Sequence, residues 1–135
     1  MSELKYRCVL FCEDIREEKF GRVSLIGVLG AKVHARSFPL MFPKFCLSIE
    51  WGEITGNHQI SLTIVPPPGA ELPPIEPQAL IQGQPGLVVR SMILLNSFVF
   101  PKEGVYHFDI KKDGVCIGRE AFSLEKMDTT NIVTN

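Results

Sequence analysis

Apolar and polar residues alternate at every second position along several short stretches of this chain, and a helical period of about 3.6 residues never persists beyond about one turn. The 11 glycines and 10 prolines stand mainly between these stretches. Alternation with a period of two is typical of β-strands, and Gly and Pro between them are typical of turns. The sequence therefore predicts an all-β protein. The residues expected in its core are Phe45, Leu47, Ile49, Trp51, Ile60, Leu62, Ile64, Tyr106, Phe108 and Phe122.

Short strands joined by Gly- and Pro-rich turns predict a single-domain antiparallel β-sandwich of about seven to nine strands. A closed barrel is the alternative, but barrels require a steadier strand spacing than two long loops allow. One loop spans residues 35–43, and the other carries six prolines between Pro66 and Pro77, which lack the amide donors of a central strand. We assign residues 1–125 to the sandwich and residues 126–135 to a flexible C-terminal tail.

Three local patterns predict details of this fold. The Gly and Asn within Glu53–Asn57 predict a hairpin loop that pairs the strands on either side. Asp14 and Glu17 resemble a helix capping pair, so we expect at most one solvated helical turn in the charged stretch 13–19. The apolar residues of the last hairpin change parity along the returning strand, which predicts a bulge at Gly118.

Charge and cysteine content narrow the possible functions. Among 135 residues, 14 Lys and Arg face 15 Asp and Glu, and this balance argues against a nucleic-acid partner. The apolar runs are far shorter than the ~20 residues of a membrane span, and the N-terminus lacks a secretory signal, so we expect a soluble, cytoplasmic protein. We therefore expect four reduced thiols, of which Cys8 and Cys12 are buried: Cys8, Cys12, Cys46 and Cys116.

Residues that could carry chemistry form no recognisable catalytic or cofactor motif, so we predict neither an enzyme nor a cofactor. Glu50 and Glu53 flank Trp51, an arrangement that a glycosidase or sugar-binding site could use, but the alternation places Trp51 in the core. An acidic cluster near residue 14 could hold calcium, yet interleaved basic residues favour a solvated face. No histidine pair has the spacing of metal ligands: His34, His58 and His107.

Two segments contain more apolar residues than a single buried face requires. In residues 87–96 both strand faces are apolar, so both need cover, and a second subunit or another protein is the simplest second cover, with Arg90 adding a charge contact. The loop Phe38–Pro43 is either tucked across the end of the sandwich or offered to a partner. The candidate interface residues are Phe38, Leu40, Met41, Phe42, Val88, Arg90, Met92 and Leu94.

Several short motifs are spread over residues 6–124: Cys12-Glu13-Asp14, Ser24–Val28, Phe42-Pro43, Phe100–Phe108 and Asp113-Gly114. Together they resemble a family of small bacterial proteins known as a domain of unknown function. The element from Pro101 to Phe108 is also similar to the start of a strand in immunoglobulin- or C2-like sandwiches, where a tyrosine ties strand to loop. The resemblance implies the fold and brings no activity, cofactor or catalytic residue.

Two functional hypotheses follow. The first is a non-catalytic protein-interaction or structural module that binds a protein partner or a second copy of itself. The second is a small-ligand or carbohydrate-binding β-sandwich domain that uses the loops at the end of the sandwich. Flat exposed apolar patches favour the first, and a concave pocket lined by Trp51, histidines or acids favours the second.

Overall fold

Nine strands make up most of the part of the chain that the computed structural model describes, which is residues 6–127. This confirms the all-β prediction, with the strand number at the upper end of the expected range. The strands are β1 (Tyr6–Glu17), β2 (Val23–Leu29), β3 (Lys32–Ala35), β4 (Leu40–Glu53), β5 (Asn57–Val65), β6 (Gln78–Gln82), β7 (Val88–Phe100), β8 (Gly104–Lys112) and β9 (Val115–Lys126).

The strands are arranged in two sheets. Sheet A has the order β2-β1-β4-β7 and is antiparallel throughout. Sheet B has the order β3-β9-β8-β5-β6 and is mixed, because β3 runs parallel to β9. The expectation of a wholly antiparallel fold is therefore wrong at β3. Only Gly30 and Ala31 separate β2 from β3. A two-residue turn that reversed the chain would pair β2 with β3 as a hairpin. Instead, β3 enters sheet B and runs in the same direction as β9.

One core of aromatic and aliphatic side chains lies between the two sheets. The ring of Phe45, on β4, lies 5.8 Å from the ring of Phe108 on β8 and 5.2 Å from that of Phe122 on β9. Ile64 is only half-buried. The other expected core residues are confirmed as buried: Phe45, Leu47, Ile49, Trp51, Ile60, Leu62, Tyr106, Phe108 and Phe122.

The connection between β4 and β5 crosses from sheet A to sheet B, so the expected hairpin at this point is wrong. Ile54, on this connection, is buried in the core. The amide of Gly83 donates to the carbonyl of Gly56 over 2.7 Å, which fixes the start of β5 beside the end of β6. Both β4 and β5 are apolar on one face, and strands in opposite layers bury such faces as fully as paired strands do. Alternation alone therefore does not distinguish the two arrangements.

The charged stretch 13–19 is mostly strand, because β1 continues to Glu17, and the helical turn allowed there does not form before Lys19. Asp14 to Glu17 pair with residues 23–26 of β2, and this ladder supplies the backbone partners that a helix would have supplied. A 3₁₀ turn, Lys19–Gly21, closes the hairpin. The proline-rich stretch 66–77 lies between β5 and β6 and forms no strand, as expected.

The last hairpin contains the predicted bulge. Ile110 pairs with Gly118 and Lys111 pairs with Cys116, so Ile117 has no opposite residue and β9 changes face beside Gly118. At the start of β8, the hydroxyl of Tyr106 donates to the carbonyl of Lys102 over 2.6 Å. This bond ties the strand to the preceding loop.

The C-terminal segment is hydrogen-bonded at its beginning. The amide of Lys126 donates to Oε2 of Glu103 over 2.7 Å, and the amide of Met127 donates to the carbonyl of Ala35 over 2.7 Å. The rest of the expected flexible tail, residues 128–135, lies outside the described residues. Between residues 6 and 127 no helix is long and apolar enough to span a membrane.

Replacing Trp51 by Ala tests this core. The side chain is 1% exposed, and its Nε1 donates to Oγ of Ser91 over 2.7 Å. We expect Trp51→Ala to lower the free energy of unfolding by about 3–5 kcal/mol, because it leaves a cavity and removes the partner of a buried hydroxyl. Urea denaturation followed by circular dichroism measures this change. Leu80→Ala, at a side chain that is 82% exposed, is the control and should cost less than about 0.5 kcal/mol. A loss below about 1 kcal/mol for Trp51→Ala would contradict the assignment of this residue to the core.

Candidate protein-interaction surface

The outward face of sheet A is apolar across all four of its strands. Because Phe11, Phe45 and Ile93 point into the core, their neighbours along each strand point outward. Two cross-strand rows form the centre of this outer face. The first row is Val28, Cys12, Cys46 and Leu94, and the second is Leu10, Ser48 and Met92.

The outer face of sheet A extends beyond these two rows at both ends of β7. Val88 begins β7 and is 54% exposed. Met41 and Val99 lie opposite each other near the far end, where they are 52% and 41% exposed. The apolar surface therefore follows most of the length of β4 and β7.

Ion pairs flank the two central rows. On one side, Nζ of Lys44 lies 3.5 Å from Oδ1 of Asp14. On the other side, Nη1 of Arg90 donates to Oγ of Ser48 over 2.6 Å and Nη2 donates to Oε1 of Glu50 over 3.2 Å. Arg90 is therefore bound across its own sheet, and an apolar centre lies between two charged borders.

The outward face of sheet B has a different character. Arg119 donates to both carboxylate oxygens of Asp109, over 2.6 and 3.0 Å, and this pairing holds the pKa of Asp109 below its usual value. Nζ of Lys111 lies 3.4 Å from Oε1 of Glu76, at the edge of the same face. Exposed apolar side chains also lie on the strands of sheet B, at Leu80, Val105 and Val115. The two faces therefore differ in where their charges lie: the Arg119–Asp109 pair is near the middle of sheet B, whereas the ion pairs of sheet A flank an apolar centre.

Two cysteines form part of the centre of the outer face of sheet A. Cys12 and Cys46 are directly opposite each other, and both are fully buried. Burial raises the pKa of the Cys12 thiol, and burial together with the Cys12 thiol raises that of Cys46 to about 11. Cys8 is exposed, so its expected burial is wrong: it lies near the start of β1, beside the charged border at Glu50.

The segment Phe38–Pro43 is mostly strand, because β4 begins at Leu40. Phe42 is buried in the core, and Phe38 and Leu40 are packed against it. These three candidate interface residues therefore pack in or against the protein's own core, which is the first of the two alternatives for this segment, and are not offered to a partner. Met41 alternates with them and stays on the surface. The structure brings the other four together on β7: Val88, Arg90, Met92 and Leu94.

The features of the ligand-binding hypothesis do not come together. Trp51 is buried, and Glu50 pairs with Arg90. A depression of about 770 Å³ surrounds the β1–β2 turn and is lined by Glu18, Lys19 and their neighbours, not by Trp51. In the part of the chain that the structure describes, no three His, Cys, Asp or Glu side chains are grouped as metal ligands.

Both ring nitrogens of His58 have polar contacts. Nδ1 of His58 lies 2.7 Å from Oδ2 of Asp113, and its Nε2 lies 2.7 Å from the carbonyl of Thr55. Oδ1 of Asp113 also accepts from the amide of Gln59 over 2.9 Å. His58 therefore links the start of β5 to the β8–β9 turn.

Sequence reasoning missed the contributions of β1 and β2 to the outer face of sheet A. Cys12 is buried, as predicted, but neither its place in an outward row nor the outward positions of Leu10 and Val28 were singled out. The signal was present in residues 8–12, where apolar residues occupy even and odd positions, as they do in residues 87–96. A central strand with two apolar faces needs cover on both.

Residues 7–125 match the model of a family described as Family of unknown function (DUF6941). The chain belongs to this family. The match to DUF6941 extends over nearly all of the nine strands. No curated protein and no solved structure matches the chain. Membership of DUF6941 assigns no activity, so the function has to be argued from the surface.

Thiol labelling tests the positions of the cysteines. In the folded protein we expect Cys8 and Cys116 to react with a disulfide reagent such as DTNB, because both are exposed, while Cys12 and Cys46 are protected by burial. Two thiols should therefore react before unfolding and four afterwards, without reductant. Cys8→Ser should lower both counts by one. Rapid reaction of four thiols in the folded protein, or fewer than four after unfolding, would contradict this prediction.

The contact of Asp113 with His58 predicts a dependence of stability on pH. The hydrogen bond to His58, followed by that from the Gln59 amide, lowers the pKa of Asp113. This contribution is present above the unfolded pKa of about 3.9 and is lost as pH falls through the folded pKa. Asp113→Asn should therefore lower the thermal midpoint at pH 7, and its difference from the wild type should be smaller at pH 3, because the carboxyl gains its proton as pH falls. Glu71→Gln, at an exposed carboxylate, controls for net charge. An equal difference at both pH values would contradict the assignment.

Proposed function

We propose that this protein is a non-catalytic protein-interaction module, in which an immunoglobulin-like β-sandwich presents the outer face of sheet A to a partner protein. The observation that carries the proposal is the contrast between the two outward faces. The outer face of sheet B carries the Arg119–Asp109 ion pair near its middle, together with exposed apolar residues such as Leu80. The outer face of sheet A, in contrast, is apolar apart from Ser48 between Lys44 and Arg90. Single exposed apolar residues need no explanation, but a contiguous patch marks an interaction surface.

The layout of this surface supports a protein as the partner. Protein interfaces have an apolar centre and a polar rim, and the rows around Leu94 and Met92 lie between two ion-paired borders in that manner. The surface is a sheet face and not a concave site, which suits a broad contact better than a small ligand. A cytoplasmic location is part of the proposal, because free thiols persist in a reducing compartment.

Charged substitutions on the outer face of sheet A test this function. Val28→Glu and Met41→Glu each place a carboxylate on the apolar surface, at side chains that are already exposed, so the fold should tolerate them. Both variants should fail to capture the proteins that the wild type captures from the native cell, because a charge buried in an apolar interface is strongly unfavourable. Binding should persist at high salt.

Leu80→Glu is the matched control, since it adds the same charge to an exposed leucine of sheet B. It should retain the captured proteins. Thermal unfolding of all three variants verifies that they are folded. Identical capture by the wild type, Val28→Glu and Met41→Glu would contradict the proposed surface.

A further inference from the structure

The outer edge of sheet A is formed by β7, and we propose that this edge pairs with β7 of a second copy of the chain. The two copies of sheet A would then form one continuous eight-stranded sheet. The inference goes beyond the proposed function, because it concerns the backbone edge of the sheet and leaves the outer face free for another protein.

The edge of β7 is long and unpaired on one side. β7 has 13 residues, whereas the other edge strands, β2, β3 and β6, have 7, 4 and 5. Among the described residues β7 pairs with β4 and with no other strand, although β6, which precedes it in the chain, lies close to it without pairing. An edge of this kind offers a row of amide and carbonyl groups to an incoming strand.

The usual protections against strand addition are missing from most of β7. Proteins guard edges with lysine, proline, bulges or very short strands. Residues 88–96 contain no Lys and no Pro. Their single charge, Arg90, lies back over β4 in contact with Ser48 and Glu50. The first irregularity is Ser97, with a φ of 50°, after which Phe98 and Phe100 point into the core.

The sequence of β7 identifies a second copy as the incoming strand. An antiparallel pair centred on Ile93 places Met92 opposite Leu94 and Arg90 opposite Asn96, so apolar meets apolar and polar meets polar on the outer face. Moving the centre to residue 92 places Arg90 opposite Leu94, and moving it to residue 94 places Arg90 opposite Phe98. Only the centre at Ile93 matches all the outward residues.

The segment that fits this register ends where the strand geometry changes. Arg90 to Asn96 is symmetric about Ile93 and stops at Ser97. Seven residues exceed the common strand length of about five to six, so the segment is long enough for a stable ladder.

The rows of sheet A also continue across the proposed junction. Leu94 ends a row with Cys46 and Cys12, and in the second copy it meets Met92, which begins a row with Ser48. In the border row, Asn96 meets Arg90 of the second copy, and its amide oxygen can accept from the guanidinium. Apolar centre and charged border are thereby both continuous over eight strands.

Disulfide cross-linking tests the register directly. In a background of Cys8→Ser and Cys116→Ser, which removes the exposed thiols, the double variant Met92→Cys/Leu94→Cys places each new thiol opposite one of the second copy. Oxidation by diamide, which takes up the two electrons and two protons of each thiol pair, should give a covalent dimer on a denaturing gel. Each single variant should run as a monomer on the same denaturing gel, because its new thiol lies opposite Leu94 or Met92 and has no thiol to pair with. No covalent dimer from the double variant, or equal dimer from either single variant, would overturn the proposal.

Light scattering after chromatography provides the second measurement. The wild type should have twice the 15.1 kDa mass of one chain. Leu94→Lys, at the junction, should give the monomer mass, while Val28→Lys, on β2 at the opposite edge, should remain dimeric. Circular dichroism verifies that both variants are folded. If Leu94→Lys is unfolded, the cross-linking experiment decides the proposal instead. A monomeric wild type would overturn edge pairing alone, and dissociation by Val28→Lys would show that copies meet through their faces. Neither outcome alters the capture test of the outer face.

Discussion

The packing of aromatic rings around Phe45 holds the two sheets together. Six rings surround it with centroids between 5.1 and 5.9 Å away. They belong to Phe11, Phe42, Phe98, Phe100, Phe108 and Phe122. Each such pair contributes roughly 0.5–1.5 kcal/mol beyond the burial of its area. Because these rings come from five strands in both sheets, the positions of β1 and β7, and with them the outer face of sheet A, depend on this cluster.

The alternation of apolar and polar residues along each strand allowed the core residues to be predicted. It did not allow the pairing between strands to be predicted. Phe45, Leu47 and Trp51 are buried as expected, since period-two patterns report the buried face of a strand. The same pattern does not reveal the neighbouring strand, so β4 was paired with β5 in the sequence reasoning and with β1 and β7 in the structure. The parallel strand β3 was missed because four residues carry too little periodicity.

The candidate surface was predicted in part, for a related reason. Residues 87–96 carry the two-sided apolar pattern over a long stretch, and the structure places Met92 and Leu94 on the outward face. Phe38, Leu40 and Phe42 were grouped with them because proline on either side gave the segment the pattern of a loop. Pro43 lies instead within β4, where the strand is distorted opposite Ser97, and this distortion turns Phe42 inward.

The pairing of β4 with β7 has a consequence for how the chain reaches its native state. Leu40 lies opposite Phe100, with some sixty residues between them, whereas the hairpins β1–β2 and β8–β9 join neighbours in sequence. Closing such distant contacts carries a loop entropy that local hairpins avoid, which places all-β chains of this kind among the slower folders, in milliseconds to seconds. We expect the two hairpins to form early and β7 to dock late. During that interval the most apolar strand of the chain would be uncovered on every side.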